Sequence, residues 1–502
     1  MTDLSPFPLP FLTSPMTAYA EPRTLRELEM MQCSALIRTK PEWFVKRNDP
    51  EIVARWTREA VGQGMTEAQV RYVLAELAYY DGLRDERTGV EVSAVDGVWH
   101  SDTLVEEGLR ERLRAAVRVL EEVPEEERDW HPGSGGQVLD LVHPSLFCLV
   151  RGVSGGPEQA WQHPEVRGAQ YEYSKRFQWL PTDVEVAEGG EVAFRSYVNN
   201  VHPVTHRELA DVLPDLFARL RPLLENVLTD LRRPRPARIR ANPYGWYDGT
   251  EPVEPEGEDG DEGYEEAYLE YERAQDNWWY DRVPAVPDAP EFVAPEPVDA
   301  SARVDLRGRR LQVIVKLATI HLTPEEPEYA GGSWHVEGMM NEQIVSTGIY
   351  YWDNENITES RLGFRAALDD PDYEQNDSTG MSDVYGLSNE DPLNQELGAV
   401  ETPEGRFLAF PNTLQHRVGS FRLVDPSRPG HRKILAFFLV DPSTTIVSTS
   451  DVPPQQPWAT ATSTMTLEQA KGFREELMQE RKFFVTSHNN ELYEREFSLC
   501  EH

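Results

Sequence analysis

His335 and Glu337 lie two residues apart in Gly331-Gly332-Ser333-Trp334-His335-Val336-Glu337-Gly338. In an extended strand, residues two apart project from one face, so an imidazole and a carboxylate would stand side by side. That is half of a metal site. A second imidazole, His416, follows 81 residues later in Phe410-Pro411-Asn412-Thr413-Leu414-Gln415-His416-Arg417-Val418. Two neutral imidazoles and one carboxylate can hold Fe(II) by one face and leave the opposite positions open, the donor set of non-haem iron oxygenases. A structural zinc would need a fourth ligand to close that face, and the sequence offers no evident one.

Sixteen residues beyond His416 is Arg432, in Pro429-Gly430-His431-Arg432-Lys433-Ile434-Leu435. A 2-oxoglutarate cosubstrate would use its keto acid on the metal and leave a far carboxylate in need of a cation. A guanidinium meets a carboxylate through two parallel hydrogen bonds, so Arg432 is the expected anchor. Tyr350 or Tyr351 could add a hydroxyl to the same carboxylate, and the sequence does not choose between them. Taken singly these residues say little: His-x-Glu arises readily by chance, and a lone His416 could be a packed core histidine. Their joint spacing is more specific. His321, His431 and Asp353 compete as ligands, but His431 adjoins Arg432 and should point to the opposite face of its strand.

These residues need a β-rich scaffold to bring them together, and the sequence from Val304 onward supplies one. Leu311 to Leu322 alternates as a strand, Ile344 to Trp352 is another, and Gly405 to Pro411, Arg417 to Val424 and His431 to Val440 follow. On this reading His416 sits between two strands. Asp425 to Gly430 makes the last turn. Asp353 to Arg361 reads as a polar connection and 369–398 as a long loop, so 354–398 is the candidate lid. Short strands without intervening helices predict a double-stranded β-helix, a jelly-roll or cupin-like core.

Around that core the expected class is α+β. Residues 1–130 read as a mostly helical N-terminal region after a proline-rich lead-in over 1–22. Thr24 with Glu27 has the spacing of a capping box, Asp49-Pro50 starts a helix, and Thr66 to Leu83 and 103–122 are helical by period. Residues 131–247 form an α+β region packing on the core, with extended stretches at Tyr171–Leu180 and Val192–Tyr197 and a helix from about Thr205 to Leu231. His202 and His206 are four apart, but Pro203 and the helix start give them capping and packing roles. Residues 248–300 are an acidic, Pro-rich insertion or linker. Between Glu251 and Glu272 there are eleven acidic residues and no basic one, a solvated and partly disordered composition. Its aromatics, Tyr264 to Tyr280, suggest an anchor onto the protein's own surface. Residues 301–445 are the catalytic core. Residues 446–502 are a C-terminal helical extension, opened by Thr466 with Gln469, with a second short helix near Asn490–Phe497.

Composition sets the outer bounds. The 502 residues carry a formal net charge of −38 and are 39% hydrophobic, enough apolar content for a large core. Such acidity argues against a nucleic-acid backbone or an anionic membrane as partner. Three separated cysteines (Cys33, Cys148 and Cys500) fit a reducing compartment and give neither a disulfide framework nor a Cys-rich zinc site. The N-terminus lacks a basic signal-peptide start, and no apolar run reaches about 18 residues. The expectation is a cytoplasmic protein whose partner is a small-molecule or amino-acid-like substrate; the oligomeric state is open.

The barrel half resembles the Fe(II)/2-oxoglutarate-dependent oxygenase superfamily. His-x-Glu in place of His-x-Asp is seen in its Jumonji C-type members, but the lysine they use for 2-oxoglutarate has no counterpart near Tyr350 to Asp353. The placement of Arg432 resembles the branch with a late-strand arginine. The whole chain resembles the fungal family of uncharacterised proteins called DUF4246. The matching stretches are His143-Pro144-Ser145-Leu146-Phe147, Ser196 to Pro203, Gly332 to Gly338, and Phe410-Pro411-Asn412 through Leu435. The resemblance supports the fold and gives no substrate.

The sequence therefore predicts an oxygenase with Fe(II) on His335, Glu337 and His416 and with 2-oxoglutarate on Arg432. It would hydroxylate a C–H bond and release succinate and CO2. Acidic residues of 354–398 mildly favour a cationic substrate. One alternative is an inactive barrel that binds partners through its acidic aromatic segment. Another is a cupin-like zinc or manganese enzyme with no cosubstrate, which would be indifferent to Arg432.

Overall fold

The computed structural model describes residues 6–11, 19–155, 173–247, 251–257, 261–299 and 301–499. The first part of the chain is helical, as its periodicity requires: α1 (Leu25–Arg38), the single turn α2 (Trp43–Lys46), α3 (Pro50–Gly62), α4 (Glu67–Leu83) and α5 (Glu107–Glu121), with short strands β1 (Glu91–Val92) and β2 (Trp99–Ser101) before α5. Asp49 caps α3 through the amides of Glu51 and Ile52. Thr66 and Gln69 form a reciprocal capping box on α4. The box expected at α1 is only half present. Thr24 accepts from the Glu27 amide, but the Glu27 carboxylate turns inward to the amides of Arg238 and Ile239, at 2.8 and 3.1 Å. A buried carboxylate beside the buried Arg238 guanidinium is better satisfied there than at a helix end.

Strands β3 (Val138–Val142), β4 (Leu149–Val150), β5 (Phe177–Gln178), β6 (Thr182–Val186) and β7 (Val192–Phe194) come next, then the long helix α6 (Arg207–Arg232). The readings that begin at Tyr171 and that cover 1–22 fall partly outside the described residues, as does Cys500. His202 and His206 are used locally: the His202 ring nitrogen accepts the amides of Val204 and Thr205, and that of His206 accepts the His202 amide. The acidic segment is not wholly irregular. It holds α7 (Tyr264–Asp281), which has no buried residue and is tethered through Arg282, stacked on Tyr247, Trp278 and Trp279.

The remaining elements are β8 (Arg309–Leu322), β9 (Glu328–Tyr329), β10 (Ile344–Glu355), β11 (Arg361–Ala367), α8 (Ser378–Tyr385), β12 (Asn394–Glu401), β13 (Phe407–Pro411), β14 (Gln415–Val418), β15 (Phe421–Arg422), β16 (Gly430–Val440) and α9 (Leu467–His488), with a π-turn at Asn489–Tyr493. Helix α9 opens on the expected Thr466–Gln469 pair. The stretch 354–398 is more ordered than its composition implied, since it contains β11, α8 and the start of β12. Helix α8 is held by tertiary contacts: Asp377 caps it, and Met381 and Val384 bury against Trp246, Leu393 and Phe497.

The large sheet runs β1-β2-β13-β10-β16-β8-β6-β7, with β3 also pairing β8; a smaller sheet runs β12-β11-β14, and β15 pairs β9. All these pairings are antiparallel. One face of the large sheet carries Val313, Val315 and Leu317 of β8 and Leu435, Phe437 and Leu439 of β16, packed with Leu216, Phe217 and Leu220 of α6. At Gly348 on β10 a Cβ would run into the Leu220 side chain, so glycine lets the helix close on the sheet. The opposite face carries Ile314, Ile349, Tyr351, Leu408, Phe410, Ala436 and Phe438, which share one core with Leu362, Phe364 and Ala366 of the small sheet. Each such fully buried large side chain contributes about 1.5–3 kcal/mol. The protein is thus α+β, with two facing antiparallel sheets that do not close into one continuous barrel among the described residues.

Candidate metal centre

Strand β14 places His416 in the small sheet, directly opposite Phe364 of β11. His416 lies inside a strand rather than between two. The segment leading to Glu337 runs alongside, and His335 and His416 form an antiparallel bridge. Gly331 makes this approach possible: its φ is +102°, and a Cβ there would lie 2.9 Å from the Val418 carbonyl oxygen.

His335, Glu337 and His416 converge, with one ligand atom from each within 4.8 Å of the others. The Glu337 carboxylate oxygen lies 3.4 Å from His416 Nε2 and 3.9 Å from His335 Nε2. Ligands about 2.1 Å from one metal and at right angles would stand about 3 Å apart, so the cluster is close to ligating size. His335 Nδ1 lies 2.8 Å from the Ser333 carbonyl. Donating there leaves Nε2 as the lone-pair nitrogen facing its partners, the second-shell arrangement typical of metal-bound histidine. The Glu337 peptide is clamped on both sides by buried Asn412, whose oxygen accepts the Glu337 amide at 2.8 Å. The Asn412 Nδ2 donates to the carbonyls of Glu337 (2.9 Å) and Ile344 (3.0 Å). Sequence reasoning missed this role, although Asn412 stood inside a quoted motif.

Electrostatics prepare the same donor set. Burial and the neighbouring His416 lower His335 to about 4, so its imidazole is neutral at pH 7. Burial works against ionisation of Glu337, but the hydrogen bond from His416 and the nearby imidazoles outweigh it and hold the carboxyl at about 2. Two imidazoles and an ionised carboxylate fit Fe(II) with open positions.

Arg432 is 2% exposed. Its guanidinium carbon lies 4.7 Å from the centre of the Tyr351 ring, and no carboxylate comes within ion-pair distance among the described residues. Its Nε is buried without a hydrogen-bond partner, and the buried Tyr351 hydroxyl interacts with the guanidinium. Burial pulls the guanidinium pKa below its ordinary value. The two candidate tyrosines part company here. Tyr351 belongs to the core between the sheets, whereas Tyr350 stacks on Phe407 in the helix-side core. His431 does face away from Arg432: its Nε2 is 3.0 Å from Asp353, which also pairs with Lys433. His321 packs on Trp130. These three competitors lie apart from the triad.

A second cluster, His131, Asp140 and His143, has similar compactness. Its protons argue against a metal. His143 Nδ1 accepts the Ser145 amide at 3.2 Å, so its Nε2 carries the hydrogen. Asp140 is taken by His131 at 2.8 Å, with Arg474 at 3.9 Å.

Comparison with known proteins gives the following. No curated protein matches the sequence. Solved structures similar to this chain include IDO from Bacillus thuringiensis (10% identity, 28% of this chain and 48% of that one, TM-score 0.18). The Fe(II)/(alpha)ketoglutarate-dependent dioxygenase TqaL is 13% identical over 37% of this chain and 55% of that one, with TM-score 0.19. The dioxygenase for auxin oxidation in rice is 12% identical over 75% of this chain and 81% of that one, with TM-score 0.27. The chain spans about half the length of the first two. The family described as "Protein of unknown function (DUF4246)" matches residues 67–462, and "Domain of unknown function DUF4246, N-terminal" matches residues 2–59. This chain belongs to the DUF4246 family.

Proposed function

We propose that this protein is an Fe(II)- and 2-oxoglutarate-dependent oxygenase built on a double-stranded β-helix core. The order β13-β10-β16-β8 facing β12-β11-β14 supports that core. With Fe(II) and 2-oxoglutarate bound, the centre supplies oxidation by O2: substrate R–H, 2-oxoglutarate and O2 become R–OH, succinate and CO2. His335, Glu337 and His416 hold the metal. Asn412 and Ser333 fix the orientation of two of these ligands. Tyr351, rather than Tyr350, is the hydroxyl beside the cosubstrate's far carboxylate.

The observation that carries this reading is Arg432. A guanidinium keeps its charge at any accessible pH. Buried with no anion, it costs several kcal/mol. A dicarboxylate cosubstrate would remove that cost, whereas a metal enzyme without a cosubstrate would have no use for it. The case for a cationic substrate from the acidic residues of 354–398 is weak, because six of the eleven pair with arginines: Glu355 with Arg428, Glu359 with Arg361, Asp370 with Arg495, Glu374 and Asp377 with Arg282, and Glu396 with Arg417. A scaffold role for the acidic helix α7 is favoured by its exposed Trp279 and Tyr280. Fe(II)-dependent conversion of 2-oxoglutarate to succinate, lost in Arg432→Met, tests the enzyme. No succinate from metal-loaded, folded protein under any substrate panel would leave the scaffold reading.

A further inference from the structure

Lys316 is the single charged residue between Leu311 and Ile320, in a strand otherwise built for burial. Directly paired residues of an antiparallel sheet share a face. Lys316 pairs with Ala436, and both Ala436 and the neighbouring Ile314 belong to the core between the two sheets. Lys316 therefore projects into the space that holds the metal-ligand triad. It is half-buried. Among the described residues it makes no hydrogen bond or ion pair.

Of the carboxylates that face it, Glu337 belongs to the triad, and Asp140 gives one oxygen to His131, with Arg474 at 3.9 Å, while its Oδ1 is buried without a hydrogen-bond partner. Burial is the largest influence on His335, Glu337, Asp140 and His143, and the Lys316 charge acts on all four as well. The ammonium is thus within electrostatic reach of both the triad and the cluster on and beside β3. Arg432 leaves the sheet at a separate position. Arg432 pairs with Ile320, four residues along β8 from Lys316, or about 13 Å at a strand's rise of about 3.3 Å per residue. The cosubstrate has two carboxylates, one for the metal and one for Arg432, so the second interior cation is left for a different molecule.

We propose that Lys316 binds a carboxylate of the substrate, making the substrate class a carboxylic acid whose oxidisable carbon is turned toward the metal centre. This rests on the oxygenase reading above. A lone ammonium acts as a point charge with freely rotating donors, so it fixes one end of an acid and leaves the walls to select its body.

The test uses the full chain under anaerobic conditions with Fe(II) and 2-oxoglutarate. Straight-chain monocarboxylates from acetate to octanoate and their primary amides are titrated calorimetrically into wild type, Lys316→Met and Lys316→Arg. Expected is a preference of about tenfold or more for at least one acid over its amide, abolished in Lys316→Met and kept in Lys316→Arg. Binding of 2-oxoglutarate, read by the visible chelate band, should be the same in all three. Equal binding of acid and amide throughout the series, or a preference that survives Lys316→Met, overturns the proposal. So does loss of the chelate band in Lys316→Met alone, which would make Lys316 a cosubstrate anchor. A missing band in wild type would instead count against the oxygenase reading, independently of the acid–amide comparison.

Discussion

His335 and His416, 81 residues apart in the chain, are hydrogen-bonded backbone to backbone in both directions. The His416 amide lies 2.9 Å from the His335 carbonyl and the His335 amide 3.2 Å from the His416 carbonyl. Their rings, 4.4 Å apart between centres, therefore sit side by side on one face because of main-chain pairing. The backbone pairing itself brings the two imidazoles together.

Asn412 should then matter as a positioning residue. Asn412→Ala removes both bonds to the Glu337 peptide, and loss of such an outer partner weakens metal affinity about 10–100-fold. Anaerobic calorimetric titration with Fe(II) checks this. Unchanged affinity in a folded variant would show that the bridge to His416 alone holds Glu337.

Arg432→Met should have two effects of opposite sign. Affinity for 2-oxoglutarate should fall by about 10–100-fold, the worth of a charge-assisted bidentate contact. Thermal stability without cosubstrate should hold or rise, because an unpaired buried charge has been removed. A fall in both would mean that Arg432 is a structural residue.

Gly331→Ala forces a side chain into the left-handed region and against the Val418 carbonyl. A cost of about 1–3 kcal/mol is expected, together with weaker Fe(II) binding, since the strain falls where His335 approaches β14. Denaturant unfolding and the Fe(II) titration measure the two separately. A variant as stable as wild type would show that this backbone can relax.

Asp230 gives a pH dependence away from the site. Burial raises its carboxyl from the ordinary 3.8 to about 7, opposed by the hydrogen bond from Trp99 Nε1. Between those values the folded chain holds a proton that the unfolded chain has lost, so stability falls as pH rises through the window. Asp230→Asn keeps an acceptor and removes the charge. It should stabilise the protein by roughly 2 kcal/mol at pH 8, after allowance for solvent screening, and change little at pH 4. Equal unfolding midpoints for the two proteins at pH 8 would contradict this.

Legibility from sequence followed the kind of signal each element carries. Helices α3 and α4 announced themselves through their caps, and β8 and β16 through alternation. The triad was legible from the His-x-Glu spacing, although that stretch forms no regular strand: His335 makes an isolated bridge and Glu337 lies in a bend. Helix α8 was not, since its polar sequence becomes helical only against Trp246 and Phe497. The choice between Tyr350 and Tyr351 needed the register of β10, with bulges beside Ile344 and Tyr351, which no periodicity reveals. Lys316 was visible all along as a lone charge in an apolar strand, but its significance depends on which face it takes.

The most direct test of the central claim is anaerobic titration of the metal-free protein with Fe(II) and 2-oxoglutarate, following the weak visible charge-transfer band of the chelate. A band in wild type that is lost in His416→Ala is the predicted result. A folded wild-type protein that binds Fe(II) yet shows no band with 2-oxoglutarate would contradict it.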